Sequence, residues 1–228
     1  MYEEIDVISH SCIRIQGDVT VYFDPFEMPD APHDADIVCV THDHYDHFSP
    51  DDLRRVLHDD TVLVVPKSME ENRELTDMHR RHLVHNVHFM APGETLQIGD
   101  TTIETVRAYN VGKNYHLREY DWVGYVLTTN ATRYYIAGDT DAHPENLFVS
   151  CDVALVPVGG TYTFDTKEAA DFVGKIRTQA AIPTHYGTAV GHREDGARFV
   201  YEVKRAHPHI QALERMRFAL SRESLRRD

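Results

Sequence analysis

Four side chains able to bind metal fall within six residues in the string His42-Asp43-His44-Tyr45-Asp46-His47. Imidazole and carboxylate are the ligands expected of Zn²⁺, with Mn²⁺, Fe²⁺ and Ni²⁺ as competitors, and the absence of cysteine from the string leaves the metal open. In extended backbone His42 and His44 project to one side, whereas Asp46 and His47, nearer a turn, can swing to a second position. The string therefore suits two ions. So many imidazoles rarely converge on one loop without a metal, which makes a merely histidine-rich surface loop the weaker reading.

Such a string needs elements that fix it. Residues 37–40 are apolar and rich in β-branched side chains, as in a buried strand. Ser49-Pro50-Asp51-Asp52 supplies a helix N-cap, a proline at the first helical position and two first-turn carboxylates. The loop between is short and held at both ends. Upstream, residues 5–8, 12–15 and 19–23 read as strands, the last two joined by a hairpin turn at Gln16-Gly17-Asp18. The hairpin ends at Asp24, placed either to orient a ligand imidazole or merely to cap a turn. His10, in the preceding loop, reads as a solvated or satisfied histidine.

Downstream, residues 51–58 read as a helix, 61–65 as a strand and 67–75 as a helix, a rhythm that favours parallel strands. His79, His82, His85 and His88 recur every third residue. Neither helix nor strand turns all four toward one ion, so they read as surface residues. Residues 94–98 and 101–108 form a second hairpin ending in Tyr109-Asn110. Residues 122–129 and 133–137 form a third, ending in Gly138-Asp139-Thr140-Asp141. Asp139 follows an apolar run at a sheet edge, where Gly138 permits close backbone approach. A carboxylate shared by two ions belongs there, with a simple turn residue as the alternative. A strand over 153–157, a Gly-containing turn over 158–163, a helix over 166–176 and a strand over 180–183 lead to His185. That histidine again sits at the C-terminal end of a strand, where ligands gather in open α/β sheets. A helix over 193–206 follows.

The 228 residues carry 23 Lys plus Arg against 37 Asp plus Glu, a formal charge of −14. Such a surface repels polyanions, so nucleic acid is not expected as a partner. No Pro/Gly/Ser-rich linker divides residues 1–228, which read as one domain. Cys12, Cys39 and Cys151 lie far apart, as reduced thiols do, and point to a cytoplasmic location. The acidic start and the lack of a long apolar run give no sign of a signal peptide or membrane span.

The ligand string, together with Ala-Gly-Asp-Thr-Asp at 137–141, Val-Pro-Val-Gly-Gly-Thr-Tyr-Thr at 156–163 and Pro-Thr-His-Tyr-Gly-Thr at 183–188, resembles the metallo-β-lactamase superfamily. The resemblance spans nearly the whole chain. It points to the branch of the L-ascorbate phosphate lactonases and, more distantly, the N-acyl phosphatidylethanolamine phospholipase D. It implies an α/β fold, a four-layer αββα sandwich with metals at one sheet edge, and gives Asp24 a supporting role. His42 and His44 match ligands of a first ion, Asp46, His47 and His185 those of a second, and Asp139 the bridging carboxylate. The superfamily's third histidine for the first ion has no clean counterpart. Either the loop folds back so that His116 ligates, or Asn110 and water fill the place; the preference of Zn²⁺ for imidazole favours His116.

Two divalent ions sharing Asp139 would lower the pKa of a water and present hydroxide to a carbonyl or phosphorus. Lys113, Tyr162 and Tyr186 could supply a cation and hydroxyls to a small, possibly anionic substrate. The expected activity is hydrolysis of a small ester, lactone, phosphodiester or amide. Its alternatives are a di-iron redox or oxygen-handling protein and a metal-binding protein without turnover. His44 counts against the di-iron reading, since relatives with an oxygen-reducing di-iron centre resemble one another in using a carboxylate there.

Overall fold

The computed structural model describes residues 2–218. Its first sheet contains six strands in spatial order β1 to β6: β1 (Ile5–Ser9), β2 (Cys12–Gln16), β3 (Thr20–Phe23), β4 (Ile37–Cys39), β5 (Val62–Pro66) and β6 (Asn86–Met90). The first three pair antiparallel and β3 to β6 run parallel. The second sheet orders β13-β12-β11-β10-β9-β8-β7. It comprises β7 (Thr95–Ile98), β8 (Thr101–Arg107), β9 (Val123–Thr129), β10 (Thr132–Ile136), β11 (Val153–Pro157), β12 (Ala180–Thr184) and β13 (Gln211–Ala212). Antiparallel hairpins again give way to parallel strands, from β10 onward.

Period-two alternation assigns the buried side chains of the first sheet to one of two cores. Ile37 and Cys39 of β4 join the core between the sheets, which also holds Ile5, Val7, Ile13, Phe23, Val123, Tyr125 and Ile136. Val38 and Val40 face the other way, onto Leu53 and Val56 of α1 (Pro50–Val56) and Leu75 and Met78 of α2 (Arg73–Arg80). On the far side, Phe172 and Val173 of α3 (Thr166–Val173) and Phe199 and Val203 of α4 (Asp195–Ala206) pack with the second sheet. The layers are therefore αββα, as the resemblance implies.

Local sequence accounts for most boundaries. Ser49 caps α1, accepting from the Asp52 amide, with proline in the first turn. The Asp52 carboxylate also receives the amides of Glu27 and Met28, pinning the chain beyond Asp24. Asp165 and Glu168 form a capping box at α3. The helix expected over 67–75 is instead a short 3₁₀ turn, Lys67–Met69, followed by α2. The cause is Asn72, whose side chain takes the amides of Glu74 and Leu75 and starts a new helix. α3 ends three residues earlier than the expected 176, and α4 begins two later than 193. Strands β6 and β13 were not anticipated. β6 is largely exposed, and His79, His82, His85 and His88 all lie on the surface.

The sheets are tied together at one edge. The Tyr125 hydroxyl of β9 donates to the Val40 carbonyl at 2.6 Å, and the Val123 amide to the Thr41 carbonyl at 3.2 Å. The His185 amide, just past β12, donates to the His10 carbonyl at 2.8 Å. Gly138 has a φ of +64°, and a Cβ there would press on the Thr41 side chain 3.2 Å away. This close approach brings the end of β10 against the end of β4.

Candidate metal centre

Each ligand candidate leaves a strand at that edge. β4 ends in Thr41, and the chain turns through His42 to His47 before Ser49 opens α1; the amides of His47 and Phe48 bond the His44 carbonyl and close the turn. β8 leads through Asn110 to His116, β10 to Asp139 and β12 to His185. Ligating atoms of His42, His44, His116 and Asp139 lie within 4.8 Å of one another. Those of His10, Asp46, His47 and His185 form a second such group.

Asp139 joins the groups. Its Oδ1 lies 3.3 Å from His47 Nε2 and 3.2 Å from His185 Nε2, while Oδ2 lies 3.6 Å from His116 Nε2 and 3.9 Å from His42 Nε2. Among the described residues, His42 Nε2, His47 Nε2, His185 Nε2 and Asp139 Oδ1 are buried without a completed hydrogen bond. Orphaned polar atoms are costly, and these all converge on one small volume. The donor set, borderline nitrogen and hard oxygen, fits divalent transition ions.

Electrostatics agree. Burial works against the Asp139 charge, yet His185 and His47 outweigh it and hold the carboxyl well below the usual range. Burial likewise opposes protonation of His47, but Asp139 and Asp24 hold it well above its ordinary value. His42, with burial and His47 acting together, is pushed well down. The pocket thus gathers the negative charge of Asp139 and Asp46 among buried imidazoles.

Asp24 orients rather than merely caps. Its Oδ2 lies 2.7 Å from His47 Nδ1, and its Oδ1 accepts the Thr41 amide at 2.7 Å. This leaves Nε2 of His47 aimed into the cluster, the arrangement that fixes a ligand's tautomer.

The loop to His116 folds back. The Asn110 amide bonds the His116 carbonyl at 2.8 Å, and Asn110 Nδ2 donates to the Tyr162 carbonyl at 2.6 Å. His116 enters the first group, and Asn110 braces it from behind.

Residues 4–185 match the beta-lactamase superfamily domain. The chain belongs to that superfamily. It is similar to a UPF0173 protein of Pyrococcus abyssi, with 31% identity over 82% of this chain and 85% of the relative. A UPF0173 metal-dependent hydrolase of Methanopyrus kandleri is 30% identical over 86% and 90% of the respective chains. Among solved structures, a Parabacteroides distasonis protein provisionally named metal-dependent hydrolase superposes with a TM-score of 0.74 at 26% identity, covering 93% of both chains.

Against this superfamily frame, two expectations need correction. Lys113 is not free to meet a substrate: its Nζ is 2.7 Å from Asp141 Oδ1 and 2.8 Å from the Thr163 carbonyl, so it ties the His116 loop to its neighbours. Tyr186 is fully buried with its hydroxyl toward Glu214 and the first turn of α4, a packing role away from the cluster. Tyr162 is 38% exposed and edge-on to Tyr115. Two residues escaped the sequence reading. Trp122 packs against His42 and His44 with ring centroids 4.5 and 4.7 Å apart; an aromatic at the start of β9 was the available signal. His10 is satisfied, as expected, but by residues of the centre itself.

Proposed function

We propose that this protein is a hydrolase of small molecules that works with two divalent metal ions, Zn²⁺ first among them. His42, His44 and His116 would hold one, Asp46, His47 and His185 the other, with Asp139 between the two groups. The observation that carries this reading is the disposition of Asp139, whose two oxygens face two different sets of imidazoles. Such ions, when bound, acidify water and polarise a carbonyl or phosphoryl oxygen.

The chain's own residues supply the rest. Asp24 holds His47 in one tautomer, and Trp122 walls the first group and keeps water from the face of His42. Tyr45, between His44 and Asp46, and Tyr115, beside His116, are exposed next to the candidate ligands, with Tyr162 edge-on to Tyr115, and could offer apolar faces to the non-reacting part of a substrate. Tyr162, exposed beside the loop that carries His116, is the proposed hydroxyl for the developing oxyanion. With Lys113 committed to Asp141, a highly charged substrate has no partner in that side chain.

The strings at 137–141 and 183–188 resemble those of the L-ascorbate phosphate lactonase branch, which supports placing lactones among the first candidate substrates. Three buried free cysteines fit a cytoplasmic setting. The test is a screen of metal-loaded protein against lactones, esters, phosphodiesters and acyl amides. Hydrolysis of one class, lost on chelation and restored by Zn²⁺ or Mn²⁺, is expected. Fully loaded protein inert toward every class would favour metal binding without turnover.

A further inference from the structure

His10 occupies the connection between β1 and β2 with a φ of +46°. Side chains other than glycine rarely hold that backbone unless their surroundings over-determine it. Here they do. The His10 carbonyl receives the His185 amide, and its fully buried ring lies 3.9 Å from the His185 ring. His10 Nε2 is 3.1 Å from Asp46 Oδ2, and Nδ1 is 3.0 Å from Thr188 Oγ1.

This last pair separates His10 from the other imidazoles. Nε2 of His42, His47 and His185 completes no hydrogen bond among the described residues, whereas both ring nitrogens of His10 are engaged. Asp46 is acceptor-only when ionised, so Nε2 of a neutral His10 carries the proton and donates it. Nδ1 then accepts from the Thr188 hydroxyl. The loop that delivers His185 thus also delivers, three residues on, the group that fixes the tautomer of His10.

We propose that His10 is a positioning residue for the second metal ion, holding the Asp46 carboxylate through a Thr188–His10–Asp46 hydrogen-bond chain. The role rests on the two-ion reading above. His10 does not ligate. It sets the direction in which Asp46 offers its remaining lone pairs, as partners behind metal ligands commonly do.

The full-length chain, stripped of metal, can be titrated with Zn²⁺ by calorimetry while fluorescence of its one tryptophan, Trp122, reports the first site, whose histidines it touches. Wild-type protein should take two ions. His10→Ala should weaken one of them by about 10- to 100-fold and leave the Trp122-reported site unchanged. His10→Gln, which keeps an N–H donor, should recover much of the loss, and Thr188→Val should show a smaller shift of the same sign.

Wild-type affinities in His10→Ala would reduce His10 to packing and overturn the proposal. Complete loss of the second ion, unrescued in His10→Gln and absent in Thr188→Val, would overturn it in favour of direct ligation. Should His10→Ala fail to fold, Thr188→Val decides, because it deletes one hydroxyl at nearly constant shape; unchanged affinity there contradicts the chain. Wild-type protein that binds fewer than two ions would bring down the two-ion reading itself and this role with it.

Discussion

Asp139 bears more of the proposed chemistry than any other side chain, because neutralising it removes a charge from both ligand sets at once. Asp139→Asn should therefore lower turnover by about 100-fold or more while the protein remains folded, as steady-state kinetics and circular dichroism of the same preparation can show. A second residue governs acid sensitivity away from the ligands. Burial pushes His143, stacked on Tyr109 at 3.8 Å, down to about 4. Its folded value lies below the unfolded one, so its neutral form supports the fold above about pH 6.5. As pH falls from there toward 4, the unfolded chain takes the proton first and stability is lost. The loss should be on the order of 2 kcal/mol, and His143→Gln should remove that part of the pH dependence in denaturant titrations at pH 7 and 4.5. At this scale the sequence was most informative where chemistry is local. His42, His44, Asp46 and His47 declare themselves by adjacency, and Asp139 and His185 by their strand ends. His10 could not be read, because its partners, Asp46 and Thr188, lie 36 and 178 positions away. Lys113 and Tyr186 misled for the same reason: Asp141 and Glu214 claim them only in three dimensions.

Among the elements, the loop between β8 and β9 decides whether the first site is complete. Its return to Asn110 depends on the Lys113 contacts with Asp141 and Thr163, and on the Val111 amide reaching Asp141 Oδ2 at 3.3 Å. Lys113→Met should keep the stem's bulk but release the loop, weakening the ion at the His116 site by about 10-fold with little change at the other. Trp122 fluorescence during metal titration would measure it, and unchanged affinity would mean that backbone bonds alone hold the loop. The fold-back was only half legible: imidazole chemistry favoured His116, but the Asn110–His116 backbone bond has no sequence signature. Strands with clear alternation, such as β1, or with a continuous apolar run, such as β4, were readable in advance. β6 was not, because as an exposed edge strand with His88 on it the apolar pattern is missing, and the helix after β5 shifted because Asn72 caps more strongly than the apolar pattern before it suggested.

For the whole molecule, the centre exists only where two sheets meet. The first sheet contributes His42, His44, Asp46 and His47; the second contributes His116, Asp139 and His185. The inter-sheet bonds from Tyr125 and Val123 therefore hold the two sets of candidate ligands at one edge. This explains why the rhythm of hairpins and βαβ units was readable from the sequence, while the four-layer architecture came from the resemblance and the geometry of the site came from neither. Periodicity fixes which face of each strand is buried, but the docking of one sheet on the other depends on contacts between distant residues. Metal uptake should accordingly be linked to folding, since the unfolded chain keeps only the ligands that are adjacent in sequence. The most direct test of two ions sharing Asp139 is anomalous diffraction from crystals of metal-loaded protein. Two peaks about 3.5–4 Å apart, one beside His42, His44 and His116 and the other beside Asp46, His47 and His185, with Asp139 touching both, are the predicted result. A single peak, or two peaks of which only one contacts Asp139, would contradict it.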